Sequence, residues 1–183
     1  MGKKEIRADY LEKRKKFPAK KLQDESLLIA KRVLAMKEFK ENPYIYAYMP
    51  LPYEADVRPI IQAAFKMKKR VALPKVRNGV MNFVEYHWND SLEEGPFHVL
   101  EPRSNQYVHW NQAFVLTPGV VFDKHGNRYG YGKGYYDSYY AIHPELLRVG
   151  IGLSCQVHFG KLKTEPTDKE LDYLVTAKQV LSF

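Results

Sequence analysis

Residues 44–74 read YIYAYMPLPYEADVRPIIQAAFKMKKRVALP, and the fold class turns on this stretch. Tyr44 to Met49 is rich in aromatic and branched residues and predicts a strand, closed by Pro50-Leu51-Pro52. Asp56 is placed to cap a helix carrying Ile60, Ile61, Ala64, Phe65 and Met67 on its apolar side. Arg70-Val71-Ala72-Leu73-Pro74 then returns as a second buried strand. Strand, helix and strand within about 30 residues make a βαβ unit, because parallel strands can be joined only by a crossover of that kind.

The pattern extends in both directions. Upstream, Lys3 to Lys16 predicts a basic helix with Ile6, Tyr10 and Leu11 on one side. Pro18 interrupts it and suits the start of the next helix, predicted over 19–40. Leu22, Leu27, Ile29, Val33, Leu34 and Met36 give that helix its stripe, and Asn42-Pro43 ends it. Downstream, Asn78-Gly79 predicts a turn between strands 71–76 and 80–86. Residues 89–112 read as loops. Further strands are predicted at 113–116, 149–153 and near 173–176, with a helix ending near His143 and a last segment at 179–181. The alternation predicts a single-domain α/β protein over residues 1–183, a three-layer sandwich with a mostly parallel, Rossmann-like sheet.

Composition narrows the class. The 183 residues are 45% hydrophobic with one cysteine, Cys155, which excludes a disulfide framework and a cysteine-based metal site. No apolar run approaches the roughly 18 residues of a membrane span, and the charged N-terminus is unlike a signal peptide, so a cytoplasmic location is expected. The net charge is +8, and residues 1–42 carry +6 of it, with 13 Lys and Arg against 7 Asp and Glu. A basic excess calls for anionic partners without saying which.

The richest segment chemically is Gly126-Asn127-Arg128-Tyr129-Gly130-Tyr131-Gly132-Lys133-Gly134-Tyr135-Tyr136-Asp137. Its four glycines in nine residues permit positive φ and a close backbone approach to a ligand. Successive N–H groups and a following helix N-terminus can converge on an anion. Arg128 and Lys133 add cations, and Asp137 is a hard oxygen ligand of the type Mg²⁺ takes beside phosphates. The spacing matches neither a Walker A loop, since Gly134 follows Lys133, nor the dinucleotide fingerprint. The residues themselves therefore imply a phosphate binder with Mg²⁺ and no more.

The run LTPGVVFDKHGNRYGYGKGYYD (116–137) resembles the signature of the 5-formyltetrahydrofolate cyclo-ligases, also called methenyltetrahydrofolate synthetases. KKEIR (3–7), YMPLPYEADV (48–57) and PTDKELDYLVT (166–176) resemble that family's other segments in its order. The resemblance implies a NagB/RpiA-like variant of the Rossmann-like fold. It also implies ATP- and Mg²⁺-dependent closure of 5-formyltetrahydrofolate to the 5,10-methenyl form through a phosphorylated formyl group. By the same resemblance, ATP would be held by Lys3, Lys4, Arg7 and the run Arg128, Tyr129, Gly130, Tyr131, Gly132, Lys133, Gly134, Tyr135 and Tyr136. Folate, polyglutamylated or not, would meet Met49, Glu54, Phe97 and the part of that loop from Tyr131 to Tyr135. Arg128, Lys133 and Tyr135 would be catalytic, and Asp137 and Asp168 would hold Mg²⁺. A monomer is expected, with a dimer as the alternative, and neither nucleic acid nor membrane as partner.

Competing readings have their own signals. The basic N-terminus and the alternating Tyr44, Tyr46 and Tyr48 suit a nucleic-acid-binding module, although alternating aromatics more often pack across strands. A different nucleotide or phosphate-ester enzyme on the same scaffold is a third reading. The six histidines show no metal spacing, His125 reads as a turn residue, and Cys155 reads as core packing.

Overall fold

The computed structural model describes residues 2–183; Met1, the first residue of the expected 1–183 domain, lies outside them. Its centre is a sheet of eight strands, in the order β12-β11-β10-β7-β1-β2-β3-β6. These are β1 (Tyr44–Tyr46), β2 (Arg70–Arg77), β3 (Val80–Tyr86), β6 (Tyr107–Val108), β7 (Phe114–Thr117), β10 (Leu147–Ile151), β11 (Tyr173–Val175) and β12 (Val180–Ser182). The inner run β2-β1-β7-β10-β11 is parallel throughout, whereas β12 on one side and β3 and β6 on the other are antiparallel. Two small hairpins stand apart, β4 (Leu92–Glu94) with β5 (Leu100–Pro102), and β8 (Val121–Phe122) with β9 (Arg128–Tyr129).

Five helices complete the layers: α1 (Lys3–Lys15), α2 (Ala19–Ala35), α3 (Lys37–Glu41), α4 (Arg58–Lys66) and α5 (Tyr135–Ile142). Successive side chains of a strand point to opposite faces, and β1 shows the consequence. Ile45 and Ala47 face a core made with Ile29 and Val33 of α2 and Ile60 and Ile61 of α4. Tyr46 points the other way and packs with Phe83, Trp110 and Tyr139 and Tyr140 of α5. Tyr46 and Phe83 stack at 4.1 Å, and Tyr44 stacks on Trp110 at 5.1 Å, so these tyrosines serve sheet packing. α1 lies across the strand ends, where Tyr10 is buried with Val120, Val121, Tyr129 and Leu162. No helix among the described residues is long and apolar enough to cross a membrane.

Three local expectations are corrected. The helix expected over 19–40 breaks at Met36, whose ψ is 134°. The break turns Phe39 inward to meet Phe114 edge-on, and that burial outweighs one lost helical turn. Asp56 is not the cap residue of α4; Val57 is, and Asp56 accepts the Arg58 amide hydrogen from one position earlier. The segment 89–112 is not only loop. Its β4–β5 hairpin is held from β2, where buried Lys75 donates to the carbonyls of Pro102, Arg103 and Ser104 at 2.7–2.9 Å. Arg77 adds ion pairs to Glu93 and Glu101. Those anchors are tertiary, which is why no local periodicity announced the strands.

Candidate active site

The chain leaves β1 in one direction, toward β2, and enters β7 and β10 in the other. Between β1 and β7 the strand order therefore reverses, and open α/β sheets bind ligands outside the carboxyl ends of their strands at such a point. A cavity of about 1000 Å³ opens there. Tyr48, Met49 and Glu54 reach it from the end of β1, Pro74 and Val76 from β2, and Pro118 from β7. The glycine-rich segment forms its long wall, and α1 and the 165–169 segment close one side.

The glycine loop follows a hairpin, since Arg128 and Tyr129 pair with Phe122 and Val121. Buried Asp123 organises that hairpin by accepting the amides of His125, Asn127 and Leu162 at 2.8–2.9 Å, which makes His125 an exposed turn residue. Beyond it the backbone takes φ of 98° at Gly132 and 67° at Gly134, the left-handed region that glycine enters without strain. Gly134 caps α5, and Asp137 falls in the first turn, where a carboxylate is favoured by the helix dipole.

Arg128 is buried beneath the loop. Its Nη2 lies 3.3 Å from Asp137 Oδ1, and its guanidinium sits 5.6 Å over the Tyr136 ring. Its Nε is buried without a partner among the described residues. The Tyr136 hydroxyl is likewise buried and unpartnered, and burial pushes it well above the ordinary phenol value. Asp137 Oδ1 also accepts the Lys169 amide hydrogen at 3.1 Å, which brings the neighbouring Asp168 to the same side. Lys3 Nζ reaches Asp168 Oδ2 at 2.6 Å and Glu165 at 3.2 Å. Burial opposes the Lys3 charge, but those carboxylates prevail and hold the ammonium above its ordinary value. Lys3 and Arg7 both lie over the Tyr129 ring, at 5.3 and 5.6 Å, and Arg7 Nε donates to the Gly130 carbonyl at 2.9 Å.

Glu54 lies in the opposite wall and is 7% exposed. Its Oε2 accepts the Leu51 amide hydrogen at 2.9 Å, and its Oε1 accepts the Tyr131 hydroxyl hydrogen at 2.8 Å. Burial raises its carboxyl above the usual range. The prolines at 50 and 52 do not displace it. They close a short turn in which the Glu54 amide donates to the Leu51 carbonyl.

The structure thus gathers the expected residues in one cavity, in unequal positions. Met49 both packs against the core and lines the cavity. Tyr135 lines it at the start of α5. Lys4 is exposed at the edge. Lys133 is exposed too, with its ammonium 5.7 Å over the ring of Phe97 at the tip of the β4–β5 hairpin, so the structure sets it at the rim and apart from Arg128 and Asp137. One residue bonded to the glycine loop was not picked out from the sequence. Arg14, 3% exposed, donates to the Tyr131 hydroxyl oxygen at 2.7 Å. Its signal was spacing, because positions 3, 7 and 14 share a helix face, but within Lys13-Arg14-Lys15-Lys16 it reads as part of a solvated charge run.

The donor set fits a magnesium ion. Asp137 and Asp168 each engage protein cations and amides through one oxygen. Among the described residues the other oxygen of each has no hydrogen bond. Mg²⁺ usually takes one or two carboxylates with phosphates and waters completing its shell. No cluster of three or more ligating side chains occurs among the described residues.

The fold and site define a doubly wound α/β domain with a glycine-walled cavity at its switch point, and comparison with known proteins shows its family. Residues 1–177 match the model of the 5-formyltetrahydrofolate cyclo-ligase family, and the chain belongs to that family. It is 30% identical to the probable 5-formyltetrahydrofolate cyclo-ligase of Schizosaccharomyces pombe, over 87% of each chain. It is also 30% identical to the 5-formyltetrahydrofolate cyclo-ligase of Escherichia coli K12, over 74% of this chain and 79% of that one. The NMR structure of Aquifex aeolicus 5,10-methenyltetrahydrofolate synthetase superposes with a TM-score of 0.86 at 32% identity, covering 100% of this chain and 93% of the other.

Proposed function

We propose that the protein closes 5-formyltetrahydrofolate to 5,10-methenyltetrahydrofolate, with ATP as phosphoryl donor and Mg²⁺ as cofactor. The observation that carries this reading is the composition of one cavity. A buried acceptor carboxylate, Glu54, stands in one wall, and buried Arg128, Asp137 and the glycine loop stand in another. The first suits the N–H-rich edge of a 2-aminopterin, since a carboxylate is an acceptor only. The second suits a triphosphate.

The chemistry requires this pairing. A formamide oxygen leaves poorly. The γ-phosphoryl group moves to that oxygen and ADP departs. N10 then attacks the formyl carbon and loses its proton, the five-membered ring closes, and phosphate leaves with the former formyl oxygen. Little of this needs a protein nucleophile; it needs two ligands held in line and charge neutralised. The Arg128 guanidinium and the loop amides would receive phosphate oxygens, and Lys3 and Arg7 would approach from α1. Glu54 holds the pterin so that its formyl group faces the loop. Asp137 and Asp168 would hold Mg²⁺, which when bound neutralises phosphate charge.

Mixing the protein with Mg-ATP and 5-formyltetrahydrofolate is expected to produce the methenyl chromophore, with none when ATP is omitted. Folded protein that yields no chromophore under these conditions would overturn the assignment. Of the N-terminal cations that suit the nucleic-acid reading, Lys3, Arg7 and Arg14 are engaged inside the molecule, with Asp168, Gly130 and Tyr131.

A further inference from the structure

We propose that Arg14 is a positioning residue for the folate carboxylate Glu54, acting through the Tyr131 hydroxyl, so that helix α1 serves both halves of the cavity. This rests on the reading of Glu54 as the pterin acceptor.

The geometry is a three-member chain. Arg14 Nη2 donates to the Tyr131 oxygen at 2.7 Å, and the Tyr131 hydroxyl donates onward to Glu54 Oε1 at 2.8 Å. The guanidinium also lies 5.4 Å from the Tyr131 ring centroid, and its Nη1 donates to the Gly119 carbonyl at 3.3 Å. Each link fixes the direction of the next. A phenol that accepts from a cation becomes a stronger donor, and its one hydrogen is thereby committed to Glu54. The carboxylate is held from two sides, by that hydroxyl and by the Leu51 amide, leaving its remaining lone pairs for a ligand.

Arg14 has no carboxylate in direct contact among the described residues, and its Nε is buried without a partner. A buried guanidinium without a direct counter-ion is costly, and the charge that answers it is Glu54, one phenol away. The groups facing Glu54 are Arg14 from α1, Tyr48 beyond β1, Tyr131 from the glycine loop and Tyr136 from α5. Arg14 is the one cation of the four. Lys3 and Arg7, about three and two helical turns from it toward the N-terminus, face the 165–168 segment and Gly130. One rigid helix therefore touches the proposed nucleotide wall at one end and orders the folate carboxylate at the other.

The test is steady-state kinetics on wild type, Arg14→Leu, Arg14→Lys, Tyr131→Phe and the Arg14→Leu/Tyr131→Phe double variant. Loss of a hydrogen bond to a charged group corresponds to about 10- to 100-fold. Arg14→Leu is expected to raise the folate KM by about that factor, with the ATP KM within about threefold. Arg14→Lys should recover part of the loss. The double variant should be scarcely worse than the worse single one, since both remove the same chain. The acid limb of kcat/KM for folate should also move to higher pH in Arg14→Leu, because Glu54 loses its cation. An unchanged folate KM, an equal rise in the KM of both substrates, or full additivity would overturn the inference. Should Arg14→Leu fail to fold, Arg14→Lys and Tyr131→Phe carry the same comparison. Turnover by wild type with unaffected variants sinks this inference alone; absence of wild-type turnover removes the assignment beneath it as well.

Discussion

Glu54 is a carboxylate inside a protein wall, and two consequences follow from its burial. The folded state favours its neutral form, because burial raises it above the ordinary value of 4.5. Its contribution to stability is therefore complete below that value and is lost as pH rises through the raised one. Glu54→Gln does not titrate, so its Tm should gain on wild type as pH goes from about 4 to about 8, read by thermal melts across that range. Function runs the other way, since pterin recognition needs the ionised acceptor. In wild type kcat/KM for folate should rise with pH through the same transition, whereas Glu54→Gln should be flat and roughly 100-fold lower. Arg128 is the matching residue on the phosphate side. Arg128→Ala should lower kcat by about 10²–10³, the usual cost of removing a donor aimed at developing charge, with circular dichroism unchanged. A loss confined to KM would mean that Arg128 holds ATP without favouring its transition state.

At the scale of elements, one wall of the cavity is held by charge. The β4–β5 hairpin carries Phe97 over the rim and hangs on Lys75, whose ammonium is 1% exposed and donates to three carbonyls. Removing one partner of a buried charged network costs several kcal/mol, far more than an exposed pair. Lys75→Met should therefore lower stability by about 3 kcal/mol and raise the folate KM as the hairpin tip loosens. The exposed Arg70–Glu85 pair on the neighbouring strands is the control. Arg70→Ala should cost under about 1 kcal/mol and leave kinetics untouched. Denaturant melts and folate titrations on the two variants decide between them, and equal losses would show that Lys75 has no special hold on the hairpin.

For the molecule as a whole, the +8 charge and its N-terminal concentration acquire a direction. α1 sets Lys3 and Arg7 in the wall of the cavity, where their charge would draw small anions inward. Steering of that kind is screened within about 10 Å at 0.1 M salt. Raising ionic strength should lower kcat/KM for ATP while kcat at saturation holds. A salt-independent kcat/KM would show that the excess has no steering role.

The sequence carried the layer order on its own. The βαβ unit at 44–74, the strand expected at 113–116 and found at Phe114–Thr117, and the glycine spacing at 130, 132 and 134 are local patterns, dictated by side-chain period and by φ, and each reappears in the structure. Asp137 was legible as a hard oxygen ligand beside the glycine loop, whereas family resemblance supplied Glu54 and the partnership of Asp168 with Asp137, 31 residues apart, which spacing alone could not pair. Only the tertiary structure decided the rest. Met36 breaks its helix because Phe39 packs better turned inward. The 92–102 hairpin exists because Lys75 and Arg77 hold it from another strand. Arg14 left its charge run for the protein interior because Tyr131, 117 residues away, and Glu54 beyond it answer its charge. Period and backbone conformation are properties of neighbours in the chain, whereas a buried charge is answered by whatever the fold sets beside it.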